Sequence, residues 1–188
     1  LTHLTDTRIE SALMELMRDP DIDPLIQLEI VVAFGERRAA DAGDLFLDVL
    51  THPAPSMRIA ALRGLASLDE QRFMLALSGL DEDEHWSVRA ALADILTSIS
   101  PDVAIPRLQM MLNDTDRRVI PSLLSSLVAL RVPEVGSTIR EMLNDDDVII
   151  RSVAAEQMGI LKLQDGVPIL AAAYLASLGE DFSVARIS

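Results

Sequence analysis

The chain has 188 residues, 49% of them hydrophobic but only 3% aromatic, so its core must be aliphatic, built from Leu, Ile, Val, Ala and Met. Its 16 basic and 30 acidic residues give a formal net charge of −14, which repels nucleic-acid phosphates and argues against docking on an anionic membrane. The absence of cysteine excludes disulfides, thiolate metal sites and thiol nucleophiles, and no apolar run approaches the roughly 18 residues of a membrane-spanning helix, so no direct membrane insertion is expected.

Apolar positions recur every 31 residues. In chain order the repeated segments are IQLEIVVAFGER from Ile26, MRIAALRGLASL from Met57, VRAALADILTSI from Val88, VIPSLLSSLVAL from Val119 and IRSVAAEQMGIL from Ile150. With the first residue of each as position 0, position 4 is Ile30, Ala61, Leu92, Leu123 and Ala154, and position 8 is Phe34, Leu65, Leu96, Leu127 and Met158. Position 11 is Leu68, Ile99, Leu130 and Leu161, with Arg37 the exception in the first segment. These offsets share one face of an α-helix, so each segment is a helix with one buried stripe. A shorter apolar set precedes four of them: Phe46, Val49 and Leu50; Leu77 and Leu80, with Asp81 breaking the third place; Leu108, Met111 and Leu112; Ile139, Met142 and Leu143. These too lie on single helical faces, and no sustained alternation competes, so the fold is all-α.

Neither helix of such a pair can bury its stripe alone, and stacking pairs side by side makes one continuous core. The expected fold is a right-handed α-α superhelix, a solenoid of stacked antiparallel helix pairs. It forms a single array over residues 1–188, with second helices starting near 24, 55, 86, 117 and 148 and a partial sixth unit over 166–188. In that last unit GVPILAAAYLASLGED forms a first helix, with Pro168 near its start and Gly179 near its end, and FSVARIS opens a second. Its apolar face around Leu170, Tyr174 and Leu178 lacks a partner helix, which suggests a piece of a longer protein and self-association through uncapped terminal repeats. Pro121 removes an amide hydrogen and predicts a local irregularity between 117 and 129.

VRAALADIL, MRIAALRGL and IRSVAAEQMG resemble HEAT-like repeats of the short type found in phycobilisome-lyase-related proteins, whose second helix often runs Val-Arg-x-x-Ala-Ala-x-Ala-Leu-Gly. The arginine at position 1 is present as Arg58, Arg89 and Arg151; Gln27 and Ile120 depart from the pattern. The resemblance implies the fold but not the activity, because one scaffold serves many roles. Deoxyhypusine hydroxylases, similar in repeat type, hold iron through His-Glu pairs at the starts of repeat helices. Aligned here, those places fall on Leu28–Glu29, Ile59–Ala60, Ala90–Ala91, Pro121–Ser122 and Ser152–Val153, so that activity is excluded. The E/F-type phycobilin lyases also use this repeat, and a lyase-like accessory enzyme or chaperone is the alternative reading. His3, His52 and His85 share no ligand spacing, and neither a glycine-rich phosphate loop nor a Gly-x-Ser-x-Gly elbow occurs. No catalytic, cofactor-binding or metal-binding residue is assigned.

The acidic turns RDPDIDPLI, LDEDEHWSV, LNDTDRRVI and LNDDDVIIR precede the second helices. Asp23, Asp116 and Asp147 stand three residues before position 0, where a carboxylate accepts hydrogen bonds from free amides and complements the helix dipole. Pro24 and Pro55 follow at the first helical position. A calcium loop over 19–30 would use Asp19, Asp21 and Asp23, but Pro24 stands where glycine is needed and Ile30 where glutamate is needed.

The preferred function is a non-catalytic interaction or scaffolding module of a larger protein that binds a peptide or protein partner on the concave face. Positions 2, 6 and 9 of the second helices line that face. They supply Leu28, Val32, Ile59, Arg63, Asp94 and Ser125 as contacts, together with Ala90, Thr97, Pro121, Ser152 and Glu156 along the same stripe. Trp86, the sole tryptophan, sits beside His85 at a helix start, either as an interface anchor or as a clamp over the helix entrance. A third reading is a regulatory spacer between other domains, which calls for a uniformly polar outer stripe.

Overall fold

The computed structural model describes residues 7–163 and 166–171. His3, Tyr174, Leu178, Gly179 and the FSVARIS segment lie outside them. The helices come in pairs: α1 (Thr7–Leu16) with α2 (Pro24–Glu36), α3 (Gly43–Val49) with α4 (Pro55–Leu68), and α5 (Glu70–Gly79) with α6 (Trp86–Leu96). Then follow α7 (Pro101–Met111) with α8 (Ile120–Ala129) and α9 (Val135–Met142) with α10 (Val148–Ile160). No strand occurs among the described residues. The chain divides into two compact units between Ile99 and Ser100, the first holding α1 to α6 and the second α7 to α10.

The helical stripes form the core of each unit. Positions 4 and 8 are buried in all five second helices, and position 0 is buried at Met57, Val88, Val119 and Ile150. Ile26 differs: it is 49% exposed and lies in an open apolar groove with Leu13, Leu25 and Ile30. Of the first helices, Phe46, Leu77, Leu108 and Ile139 are buried, while Leu80 is exposed because α5 ends at Gly79. Ala90 is also buried, against the expectation that it lines the outer stripe, because the residues packed around α6 cover it.

Small residues set the spacing of α2 against α4. A Cβ on Gly35 would sit 3.1 Å from the Cα of Gly64, and a Cβ on Gly64 would sit 2.5 Å from the ring of fully buried Phe46. Three second helices close with the same left-handed cap, at Arg38 (φ 49°), Arg131 (φ 55°) and Lys162 (φ 56°). In each the next amide reaches back to the last buried turn: Ala39 to Phe34, Val132 to Leu127 and Leu163 to Met158, all at 3.1 Å. That is a Schellman closure without glycine. Around Pro121 the irregularity takes the form of a split start. Arg117–Val119 make a 3₁₀ turn and α8 begins afresh at Ile120, so the proline falls in a first turn that needs no amide hydrogen.

Gly64→Ala is expected to destabilise the fold by about 1–3 kcal/mol, because Phe46 has nowhere to move. Gly159→Ala, on α10 with nothing within 4 Å of the added methyl, is expected to stabilise it by about 1 kcal/mol. Arg131→Gly relieves a left-handed penalty of about 1–2 kcal/mol and loses about 0.5–1 kcal/mol to chain entropy, so a gain of about 0.5–1 kcal/mol is expected. Urea unfolding of the three variants checks all of these signs.

Candidate functional site

The acidic turns are built by two successive side-chain caps. Five residues before position 0, an acceptor takes the amide two residues on: His52 Nδ1 from Ala54 at 3.1 Å, Asp83 from His85 at 2.9 Å, Asp114 from Asp116 at 2.7 Å and Asp145 from Asp147 at 2.8 Å. Three residues before position 0 the pattern repeats: Asp23 accepts from Leu25 at 2.8 Å, His85 Nδ1 from Ser87 at 3.3 Å, Asp116 from Arg118 at 3.1 Å and Asp147 from Ile149 at 2.8 Å. Ala54 has no such side chain. The aspartates therefore hold helix starts, and among the described residues no group of His, Asp and Glu is placed to hold a metal ion.

The position-1 arginines lock these turns from inside. Arg58, only 8% exposed, donates from Nη1 to the carbonyls of His52 (2.8 Å) and Pro53 (3.0 Å). Its Nε and Nη2 form a fork with the Asp83 carboxylate of the next turn at 2.7 and 2.8 Å. Arg89 repeats the carbonyl contacts on Asp83 and Glu84, and Arg151 repeats them on Asp145 and Asp146. Where the fourth repeat has Ile120 instead, Arg117 reaches Asp145 across the turns. Burial pushes the Asp83 carboxyl up, but the Arg58 guanidinium and the His85 amide outweigh it and hold it below its ordinary value. Asp145 is likewise lowered, by the Asp147 amide and then by Arg117.

In the first unit, three consecutive second helices border an open groove of about 330 Å³. Its lining is Arg38 from the cap of α2, Arg63, Ala66 and Ser67 from α4, and Asp94, Ile95 and Ser98 from α6. The Ser67 hydroxyl is shared between the carbonyls of Gly64 (2.8 Å) and Gly35 (3.0 Å), which ties the groove wall to the close helix contact. Neither Arg38 nor Arg63 has an ion pair or a side-chain hydrogen bond among the described residues.

The groove brings Arg63 and Asp94 together from among the contacts expected from sequence. Leu28 and Ile59 are half-buried and Val32 is 36% exposed; they stand on α2 and α4 but do not line the groove. Ser125, in the second unit, is half-buried and donates to the Pro121 carbonyl at 3.1 Å while Gln157 donates to it at 3.3 Å. Trp86 is half-buried at the first position of α6, stacked on the His85 ring with centroids 6.1 Å apart. The sequence reading missed Arg38, because its place in the groove depends on a left-handed backbone that an arginine does not advertise. It also missed the acceptor five residues before position 0, although 52, 83, 114 and 145 keep the 31-residue spacing.

These paired helices with a common capped turn define an α-helical repeat protein. The sequence profile of HEAT repeats matches residues 43–128 and again 74–159, two windows displaced by one 31-residue unit. The chain belongs to the HEAT repeat family, which together covers more than half its length. Among solved structures it is similar to a chain of "the complex of CpcE and CpcF of phycocyanin lyase from Nostoc sp. PCC7120". The TM-score is 0.51 and the identity 21% over 82% of this chain, which spans 65% of the length of that one. No curated protein matches it.

Asp83→Asn is expected to lower stability at neutral pH by about 3 kcal/mol, since it leaves the largely buried Arg58 fork without its counter-charge. Because the Asp83 pKa is depressed in the folded state, its contribution is complete above the ordinary carboxylate value of 3.8. It fades as the pH falls further. The gap between parent and variant should therefore close on acidification, which unfolding curves between neutral and strongly acidic pH would show.

Proposed function

We propose that the chain is a non-catalytic protein-binding module whose protein or peptide partner docks on the second-helix face of its first unit, centred on the groove between Arg38, Arg63 and Asp94. The observation that carries this reading is the pair of guanidiniums at one groove that have no partner among the described residues, in a chain whose net charge is −14. Arg58 and Arg117, by contrast, are engaged with carboxylates. An unpaired arginine on a surface built from rigidly capped helices is what an interface anchor needs, because little freedom is lost on docking. Leu28, Val32 and Ile59 add apolar area on α2 and α4. Trp86 and Ser125 are left out of the site, because the first stacks on the neighbouring His85 ring and the second is engaged within its own unit.

A second reading, an accessory role of the phycobilin-lyase kind, draws support from the likeness to the CpcE–CpcF complex. At 21% identity that likeness carries the fold, and its activity is a property of that assembly. Both readings place a protein partner on the chain.

Affinity capture from a lysate of the source cells, with the parent chain and an Arg38→Glu, Arg63→Glu variant as paired baits, tests the docking reading. A protein held by the parent and released by at least about tenfold in the variant, with the helical circular dichroism unchanged, is the expected result. Equal capture by both baits would refute a partner site at this groove.

A further inference from the structure

We infer that the groove recognises a peptide carrying a carboxylate side chain flanked by small or aliphatic residues, an inference that rests on the docking reading above and adds the chemistry of the ligand. Arg38 and Arg63 come from different helix pairs, yet both line the same groove and neither meets a side-chain acceptor among the described residues. A guanidinium presents its donors as a planar fork that fits a carboxylate edge-on, a geometry the chain itself uses between Arg58 and Asp83. Ala66 and the largely buried Ile95 add apolar lining to the same groove.

The charge balance narrows the ligand further. A net charge of −14 opposes a polyanionic partner at a distance, but exposed charges are screened beyond roughly 8 Å at physiological ionic strength. Only a carboxylate in direct contact gains from the two arginines. The occupant is therefore a segment with one acidic side chain among apolar neighbours, rather than an acidic tract or a phosphorylated run. A single charge-assisted contact of this kind supplies roughly 10- to 100-fold in affinity over its neutral isostere.

A display library of random dodecapeptides, selected on the full chain and counter-selected on an Arg38→Gln, Arg63→Gln variant of matched thermal stability, tests the inference. Enriched sequences should carry Asp or Glu beside aliphatic residues, and a synthetic enriched peptide should lose at least about tenfold in affinity when that residue becomes Gln or Asn. The same loss should appear when the parent peptide meets the arginine variant, and rising sodium chloride should weaken the acidic peptide more than its amide counterpart. No enrichment, enrichment without acidic residues, or equal binding of acid and amide would overturn the inference. So would competition by free glutarate at the peptide's own affinity, which would mark a small-carboxylate site. If capture of a cellular partner still depends on Arg38 and Arg63 while acid and amide peptides bind alike, only the carboxylate inference falls; if capture is indifferent to both arginines, the docking reading falls with it.

Discussion

The Arg58 guanidinium is the interaction on which the arrangement of the first unit turns. It is a charge almost removed from water, and such a charge is tolerated only when its donors are met. Two of them meet carbonyls of its own turn and two meet a carboxylate of the next, so one side chain fixes a turn and the step to the following repeat. The apolar stripes supply most of the driving force, but burial of aliphatic surface is non-directional. Leucines and alanines packed side by side tolerate a slide along the helix axis; a forked pair with four distances between 2.7 and 3.0 Å does not. Register is thus set by polar groups at the edge of an aliphatic core.

That division of labour explains what the sequence discloses. The stripes are legible because position 4 and position 8 must be apolar in every repeat, and all ten of those residues are buried. The helix starts are legible because aspartate and proline each satisfy a single local requirement there. Ile26 and Ala90 defeat the same reasoning from opposite sides: their burial depends on what packs against the helix rather than on their own character. The acceptor five residues before position 0 is hidden by its chemistry, since an imidazole at His52 and carboxylates at Asp83, Asp114 and Asp145 perform one task with two residue types. Arg38 is hidden by its backbone, because a left-handed cap is normally announced by glycine.

The groove follows from this construction. α4 and α6 contribute residues from their own length and α2 contributes Arg38 from its cap, and these helices are held by the turns rather than by the groove residues themselves. Arg63 and Asp94 are exposed and have no part in the turns or the aliphatic stripe, so the surface chemistry can change while the scaffold stays. This separation lets a helical repeat serve unrelated partners on one architecture.

The inter-turn fork also makes the repeats unequal in a way their common length conceals. Arg58 of the second unit takes its carboxylate, Asp83, from the turn of the unit after it, whereas Arg89 pairs with Glu82 of its own turn. The second unit carries His52 at the place of Asp83, an imidazole instead of a carboxylate, and it follows the unit that has Gln27 rather than arginine. Duplicating unit two would present His52 to a second Arg58, leaving a desolvated cation without its anion. The junction after unit two is therefore constrained by charge: whatever repeat follows it must bring a carboxylate to Arg58.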